Sequence, residues 1–277
     1  MSPARPSVSD KRQSFARLHA SGCFAIPNPW DPGSARYLQS LGFKAIATTS
    51  SGFAWSQARA DNQVPRQRVL EHLQAMVAAV DIPVNADFES GFARDAAGVG
   101  ESVRLAVATG VAGLSIEDST GDAAHPLYDL SLAVERLRAA RRAIDQSGGD
   151  TLLVGRAECY LVGRTDIAET TTRLKAYAQA GADCLYAPGI RTREDIAAVV
   201  AAVAPKPVNV LVWSADGPSM NELGEMGVRR VSVGGALARS AWGGFIRAAR
   251  TLAEQGRFDG FAQAAAGNEL NSLFTEQ

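Results

Sequence analysis

Eight short apolar runs, each followed by a longer amphipathic stretch, constrain this chain more than any other feature. The runs are CFAIP from Cys23, KAIATTS from Lys44, IPVNADFE from Ile82, GLSIEDS from Gly113, TLLVGRAE from Thr151, CLYAPG from Cys184, PVNVLVW from Pro207 and RRVSVGG from Arg229. Runs apolar along their length suit parallel strands buried on both faces. The stretches between them, such as VLEHLQAMVAAV from Val69 and AVERLRAARRAI from Ala133, repeat apolar residues at helical spacing. Several end in a glycine, as in ATG before Val111 and QAG before Ala182, which can close a helix in the left-handed conformation. Eight strand–helix units predict a closed (β/α)8 TIM barrel. The other arrangement to weigh is an open doubly wound sheet, disfavoured because no GxGxxG turn follows the first strand.

The expected layout is one domain over 1–277. It has an N-terminal helical segment (1–22, helix from Ser9 to Ser21), a barrel (23–250) and a C-terminal helical extension (251–277, helix from Phe258 to Phe274). Such terminal helices cap a barrel end or pack on a second subunit. The 28 basic and 29 acidic residues leave a net charge of -1, so there is no basic excess for a nucleic-acid partner. No apolar run is long enough for a membrane span, and Met1 to Arg12 does not read as a signal peptide. Three widely spaced cysteines with no CxxC pair fit free thiols. Together these features predict a cytoplasmic protein.

In such barrels the chemistry sits at the C-terminal strand ends. The second run ends in Ser50, Ser51 and Gly52, a small turn whose backbone N–H groups suit an oxyanion or carboxylate. The third carries Asn85, Asp87 and Glu89, which period-two alternation puts on one face. The fourth ends in Glu117, the fifth in Arg156 and Glu158, and the seventh in Asn209. Asp87, Glu89, Glu117 and Glu158 should therefore meet at one mouth. Clustered carboxylates repel one another and call for a cation. None of the three histidines ends a strand, so oxygen ligands and Mg2+ or Mn2+ are expected. Each carboxylate has a plainer alternative in a salt bridge. Arg156 either holds a substrate carboxylate by its planar fork or pairs with Glu158 or Glu117. Cys159 reads as a buried thiol rather than a nucleophile, and His125 as a solvated loop histidine.

At these residues the chain resembles the isocitrate lyase/phosphoenolpyruvate mutase superfamily, from about Phe15 to Phe261. The carriers are NPWDPGSAR (28–36), TTSSGFAWS (48–56), VNADFESGF (84–92), SIEDS (115–119) and VGRAECYL (154–161), specific when taken together in this order. The resemblance implies a (β/α)8 barrel whose last helix is exchanged between subunits, commonly in tetramers. It also implies Mg2+, and a C–C or P–C bond made or broken beside a 2-oxo acid through a pyruvate-like enolate. On it, Asp87 and Glu117 take metal positions, with Asn85 and Glu89 beside them, and Ser50 to Gly52 lie near the substrate carboxylate. Arg156 matches the substrate-binding arginine, with Asn209 on the substrate side. Asp61 falls near the reacting group, although it also reads as a solvated loop carboxylate, and Glu158, placed by its strand end, is the further catalytic candidate.

Three departures narrow the activity. The strand usually read as Asp-x-Asp is here Asn85-Ala-Asp87. The loop Ser119–Asp129 lacks the cysteine and lysine of the isocitrate and methylisocitrate lyases. It also lacks the Asn-Ser gate of the phosphonate mutases. The expected reaction is a Mg2+-dependent lyase or decarboxylase step on a small 2-oxo or 2-hydroxy carboxylate. The alternatives are P–C chemistry on phosphonopyruvate and a non-catalytic metabolite-binding barrel.

Overall fold

A computed structural model describes residues 5–275. Helix α1 (Val8–Ala20) precedes the barrel. The strands are β1 (Phe24–Ile26), β2 (Ile46–Ala47), β3 (Val84–Asp87), β4 (Gly113–Glu117), β5 (Leu152–Arg156), β6 (Cys184–Tyr186), β7 (Val208–Leu211) and β8 (Arg230–Ser232). Every apolar run contains one of them. The order is β1-β8-β7-β6-β5-β4-β3-β2, and all ladders are parallel. No ladder joins β1 to β2, but Ala47 N–H donates to Pro27 O at 3.0 Å across that seam. The Asn28 side chain reinforces it, donating to Thr48 O and accepting from the Val233 and Gly234 N–H groups, each at 2.9 Å. The β1–β8 pairing excludes the open doubly wound sheet.

The intervening helices are α2 (Pro32–Ser40), α3 (Ser50–Ser56), α4 (Arg66–Ala79), α5 (Ala96–Ala108), α6 (Leu130–Gln146), α7 (Ile167–Gln179), α8 (Arg193–Val203) and α9 (Met220–Glu225). The strands' outward residues, among them Leu114, Ile116, Leu153 and Val210, are buried against this ring in one continuous core. Truncating Leu114 or Leu153 to Ala would cost about 2–5 kcal/mol. Gly110 and Gly181 take φ of 90° and 104° and turn the chain from α5 and α7 into the next strand, as their spacing predicts.

Two expectations need correction. Asn85, Asp87 and Glu89 do not share one strand face, because β3 stops at Asp87 and Glu89 has a left-handed φ of 48°. The buried Arg136 side chain on α6 fixes that bend, donating to the carbonyls of Ser90, Ala93 and Arg94. At the C-terminus, the single helix expected over 258–274 is two pieces, a 3-10 turn at Asp259–Phe261 and α11 (Gly267–Thr275). The turn packs on α10 (Ala236–Gln255), while α11 returns to α2, where the Phe274 ring lies against Gly33. One straight helix would not reach both surfaces. Residues 1–4 and 276–277 of the expected terminal segments lie outside the described residues.

Candidate active site

At the C-terminal ends of the strands, the side chains that point into the barrel are mostly polar. Register explains their arrangement: Glu117 pairs with Arg156, Arg156 with Tyr186, Tyr186 with Asn209, and Asn209 with Arg230. Side chains at paired positions of adjacent parallel strands face the same side. Of these, Arg156, Tyr186 and Arg230 line a cavity of about 190 Å³ at the C-terminal strand ends, together with Ser50, Ser51, Asp61 and Asp87 among others. That is below the volume range of drug-sized pockets and suits an acid of a few carbons.

On one side stand the acids, gathered around Arg156. Its guanidinium reaches Asp87 at 3.2 Å and Glu117 at 3.3 Å, and it donates through Nε to Glu158. It also lies 5.2 Å from the Tyr186 ring centroid. Burial alone would lower the Arg156 pKa, but Glu158, Glu117 and Asp87 more than offset it, so the group is held firmly charged. Burial pushes the carboxyls of Glu117 and Glu158 upward against the pull of Arg156.

Asp87 is the acid that faces the cavity. It accepts from Ser50 N–H at 2.9 Å, and its own N–H donates to the Thr48 hydroxyl at 2.9 Å, so three elements fix it. Asp61 stands across from it on an exposed rim. The enclosure of its carboxyl, and then the charge of Asp87, raise its pKa. Glu89 is 9% exposed, and burial followed by Asp87 and Asp61 pushes its carboxyl to about 8.

The expected site residues therefore divide. Ser50, Ser51, Asp61, Asn85, Asp87 and Arg156 line the cavity. Glu158 and Glu117 sit behind Arg156, buried to 5% and 8% exposure. Glu158 is further held through its N–H by Asp118 Oδ1 at 2.8 Å, and Asp118 is in turn fixed by Tyr177 and Arg173. Gly52 faces away from the cavity. A Cβ there would come within 2.7 Å of Thr49 Cγ2 and 3.1 Å of Ala238 Cβ, so the glycine lets α3 approach α10 closely. Asn85 lies deeper than Asp87, with Oδ1 accepting from Arg230 at 3.3 Å. Asn209 is fully buried, accepting from Arg230 Nε at 2.8 Å and donating to Ser232 Oγ at 2.9 Å.

Arg230 and Asn28 were not among the residues expected from sequence. Arg230 carried a readable signal: a charged residue inside an apolar run is what singled out Arg156. Cys159 is buried, and burial raises its thiol pKa. His125 is 85% exposed in a loop bridged at Ser119 and Leu127.

Among the described residues, no three His, Cys, Asp or Glu side chains group closely enough to hold a metal by themselves. The donor set still fits one kind of ion. Mg2+ is usually held by one or two carboxylates, with water and substrate oxygens completing the shell. Asp87 at the cavity wall, with Glu117 behind it, provides such a set.

The phosphoenolpyruvate phosphomutase family profile matches residues 15–253. A crystal structure of a lyase or mutase candidate from Burkholderia cenocepacia J2315 superposes with a TM-score of 0.93 at 45% identity, covering 97% of both chains. An uncharacterised protein of Mycobacterium tuberculosis is 31% identical over 87% of this chain and 89% of its own. An oxaloacetate decarboxylase from Bradyrhizobium sp. BTAi1 is 29% identical over 78% of this chain and 74% of its own. Among the described residues, no helix is long and apolar enough to cross a membrane.

Proposed function

This chain belongs to the phosphoenolpyruvate mutase family, and on that premise we propose that it is a divalent-metal-dependent carbon–carbon lyase or decarboxylase. Its substrate is a small 2-oxo or 2-hydroxy carboxylate. One observation carries the reading: Asp87 is pinned by Ser50 N–H and Arg156 at the wall of a cavity of about 190 Å³, with Asp61 on the facing rim. The likeness to an oxaloacetate decarboxylase supports cleavage beside a 2-oxo group.

Asp87 holds Mg2+ or Mn2+, with Glu117 beside it; Glu89 lies close to Asp87, and Asn85 is engaged by Arg230. A metal held there would supply Lewis-acid stabilisation of the charge that develops at the 2-position. Arg156 keeps the acidic groups in register and presents its remaining donors to the substrate. The Ser50–Ser51 turn receives a carboxylate edge. Asp61, whose pKa is raised by desolvation and then by the charge of Asp87, takes or returns the proton at the reacting carbon. Ser119–Asp129 has no Lys or Arg to meet a phosphoryl group, which favours C–C over P–C chemistry. Helix α10 buries only Ala238 and exposes Trp242, Phe245 and Ile246, so it is the helix we assign to exchange between subunits of a homo-oligomer.

The test is turnover of a panel of 2-oxo and 2-hydroxy acids, with phosphonopyruvate included, in Mg2+ and in chelator. Mg2+-dependent cleavage of a C–C bond is expected. Turnover of phosphonopyruvate alone would move the assignment to P–C chemistry. No turnover and no Mg2+-dependent oxalate binding would leave a non-catalytic barrel.

A further inference from the structure

Among the described residues two arginines line the cavity, and of these only Arg156 has acids beside it. Arg230 opens β8 inside the barrel, 2% exposed, and still contributes to the cavity wall. Its guanidinium donates to two neutral amides, Asn209 Oδ1 at 2.8 Å and Asn85 Oδ1 at 3.3 Å. Among the described residues no carboxylate forms an ion pair with it, since Asp87, Glu117 and Glu158 are all gathered around Arg156. The amides cannot turn their nitrogens towards it without losing other bonds. Asn85 Nδ2 donates to Ala86 O at 3.1 Å and Asn209 Nδ2 to Ser232 Oγ at 2.9 Å.

An arginine keeps its proton in proteins. A buried charge without a counter-ion costs several kcal/mol, which two amide oxygens offset only in part. The neutral frame leaves the positive charge unspent and directed at a cavity of small-acid size. We propose that Arg230, framed by Asn85 and Asn209, anchors a second carboxylate of the substrate, deeper in the barrel than Asp87. The planar guanidinium fork matches a carboxylate. Arg230 is thus a specificity residue that selects dicarboxylates over monocarboxylates. This inference rests on the proposed function for the identity of the near end of the site.

Lactate and malate differ by one carboxylate and form a matched pair of probes. In the Mg2+-loaded protein, malate is expected to bind roughly tenfold to a hundredfold more tightly than lactate, the range of a charge-assisted hydrogen-bond pair. Arg230→Gln should bring that ratio close to one. Asn209→Asp tests the same charge without deleting it. The new carboxylate neutralises Arg230 within the fold, so the ratio should collapse in a protein that melts no lower than wild type. Equal binding of lactate and malate by the wild type overturns the anchor, as does a ratio that survives in either folded variant. Chloride that stabilises the wild type but not Arg230→Gln, with no malate preference, would assign the site to an inorganic anion and overturn the substrate role. Mg2+-dependent oxalate binding is read in parallel. If it persists while the malate preference is absent, the anchor alone fails and the lyase reading stands.

Discussion

The two walls of the barrel mouth solve the same problem in opposite ways. On the β3–β5 wall, Arg156 is buried among Asp87, Glu117 and Glu158, and each charge is balanced by its neighbours. Arg230, on β8, is buried more deeply, donates to the amide oxygens of Asn209 on β7 and Asn85 on β3, and pairs with no acid among the described residues. The first wall is a closed electrostatic unit that a metal can join. The second is an open one that an anion can complete. Buried charge is therefore no single signal: what surrounds it decides whether it supports the fold or waits for a ligand.

The largest expected effect is on stability, and it differs between the walls. Arg156→Met leaves three carboxylates without their cation and should destabilise the fold by about 3–5 kcal/mol. Arg230→Met removes a buried charge that has no counter-ion among the described residues, and the relief of that burial should offset the two amide oxygens it leaves unpartnered, so the change should be near neutral. Urea unfolding of both variants reads the contrast, and equal losses would erase it.

A second effect comes from histidines packed below and beside the mouth. His19 is lowered to about 4 by burial and then by the charge of Arg230; His72 is lowered to about 4 by burial, against a small opposing effect of Asp31. Both are depressed in the fold, so the unfolded chain binds protons first as pH falls. Stability is full above about 6.5 and drains towards about 4. The loss is on the order of 3 kcal/mol for each histidine. His72→Gln should flatten the melting temperature between those limits, and an unchanged slope would count against the assignment. Because the charge of Arg230 helps to hold His19 down, Arg230→Gln should raise the folded-state pKa of His19 and so shrink its share of the loss.

A smaller effect concerns the metal. Asp87→Asn should weaken Mg2+ binding at least about tenfold, or 1.4 kcal/mol, by titration of metal-stripped protein. Glu117→Gln should weaken it less, since Glu117 lies behind Arg156. The reverse order would move the ligand role deeper into the acidic wall. The smallest effect is on the Ser119–Asp129 loop, which leaves the acidic wall directly after Asp118. Its protease cleavage should slow when Mg2+ and oxalate are added together, as for a lid that excludes water. An identical pattern would make it a fixed hairpin, consistent with its Ser119–Leu127 bridge.

Sequence determined the barrel itself. Runs such as TLLVGRAE and PVNVLVW need cover on both faces, their eightfold alternation with helices favours a closed barrel over an open doubly wound sheet, and the glycines at 110 and 181 mark where two of the units turn. It also determined that Asp87 and Arg156 end neighbouring parts of one sheet, because strand ends in such a barrel must converge. What it did not determine was which acid faces the cavity. Alternation predicts the face of a residue only while the strand continues. Arg136, about fifty residues further on, bends the chain at Glu89. Tertiary packing alone turned Gly52 towards α10 and set Glu158 behind Arg156. It also gave Arg230 two amides instead of an acid. The Asn85 pairing joins β8 to β3, far apart in the chain, and the seven letters of RRVSVGG around Arg230 contain nothing that says who stands opposite.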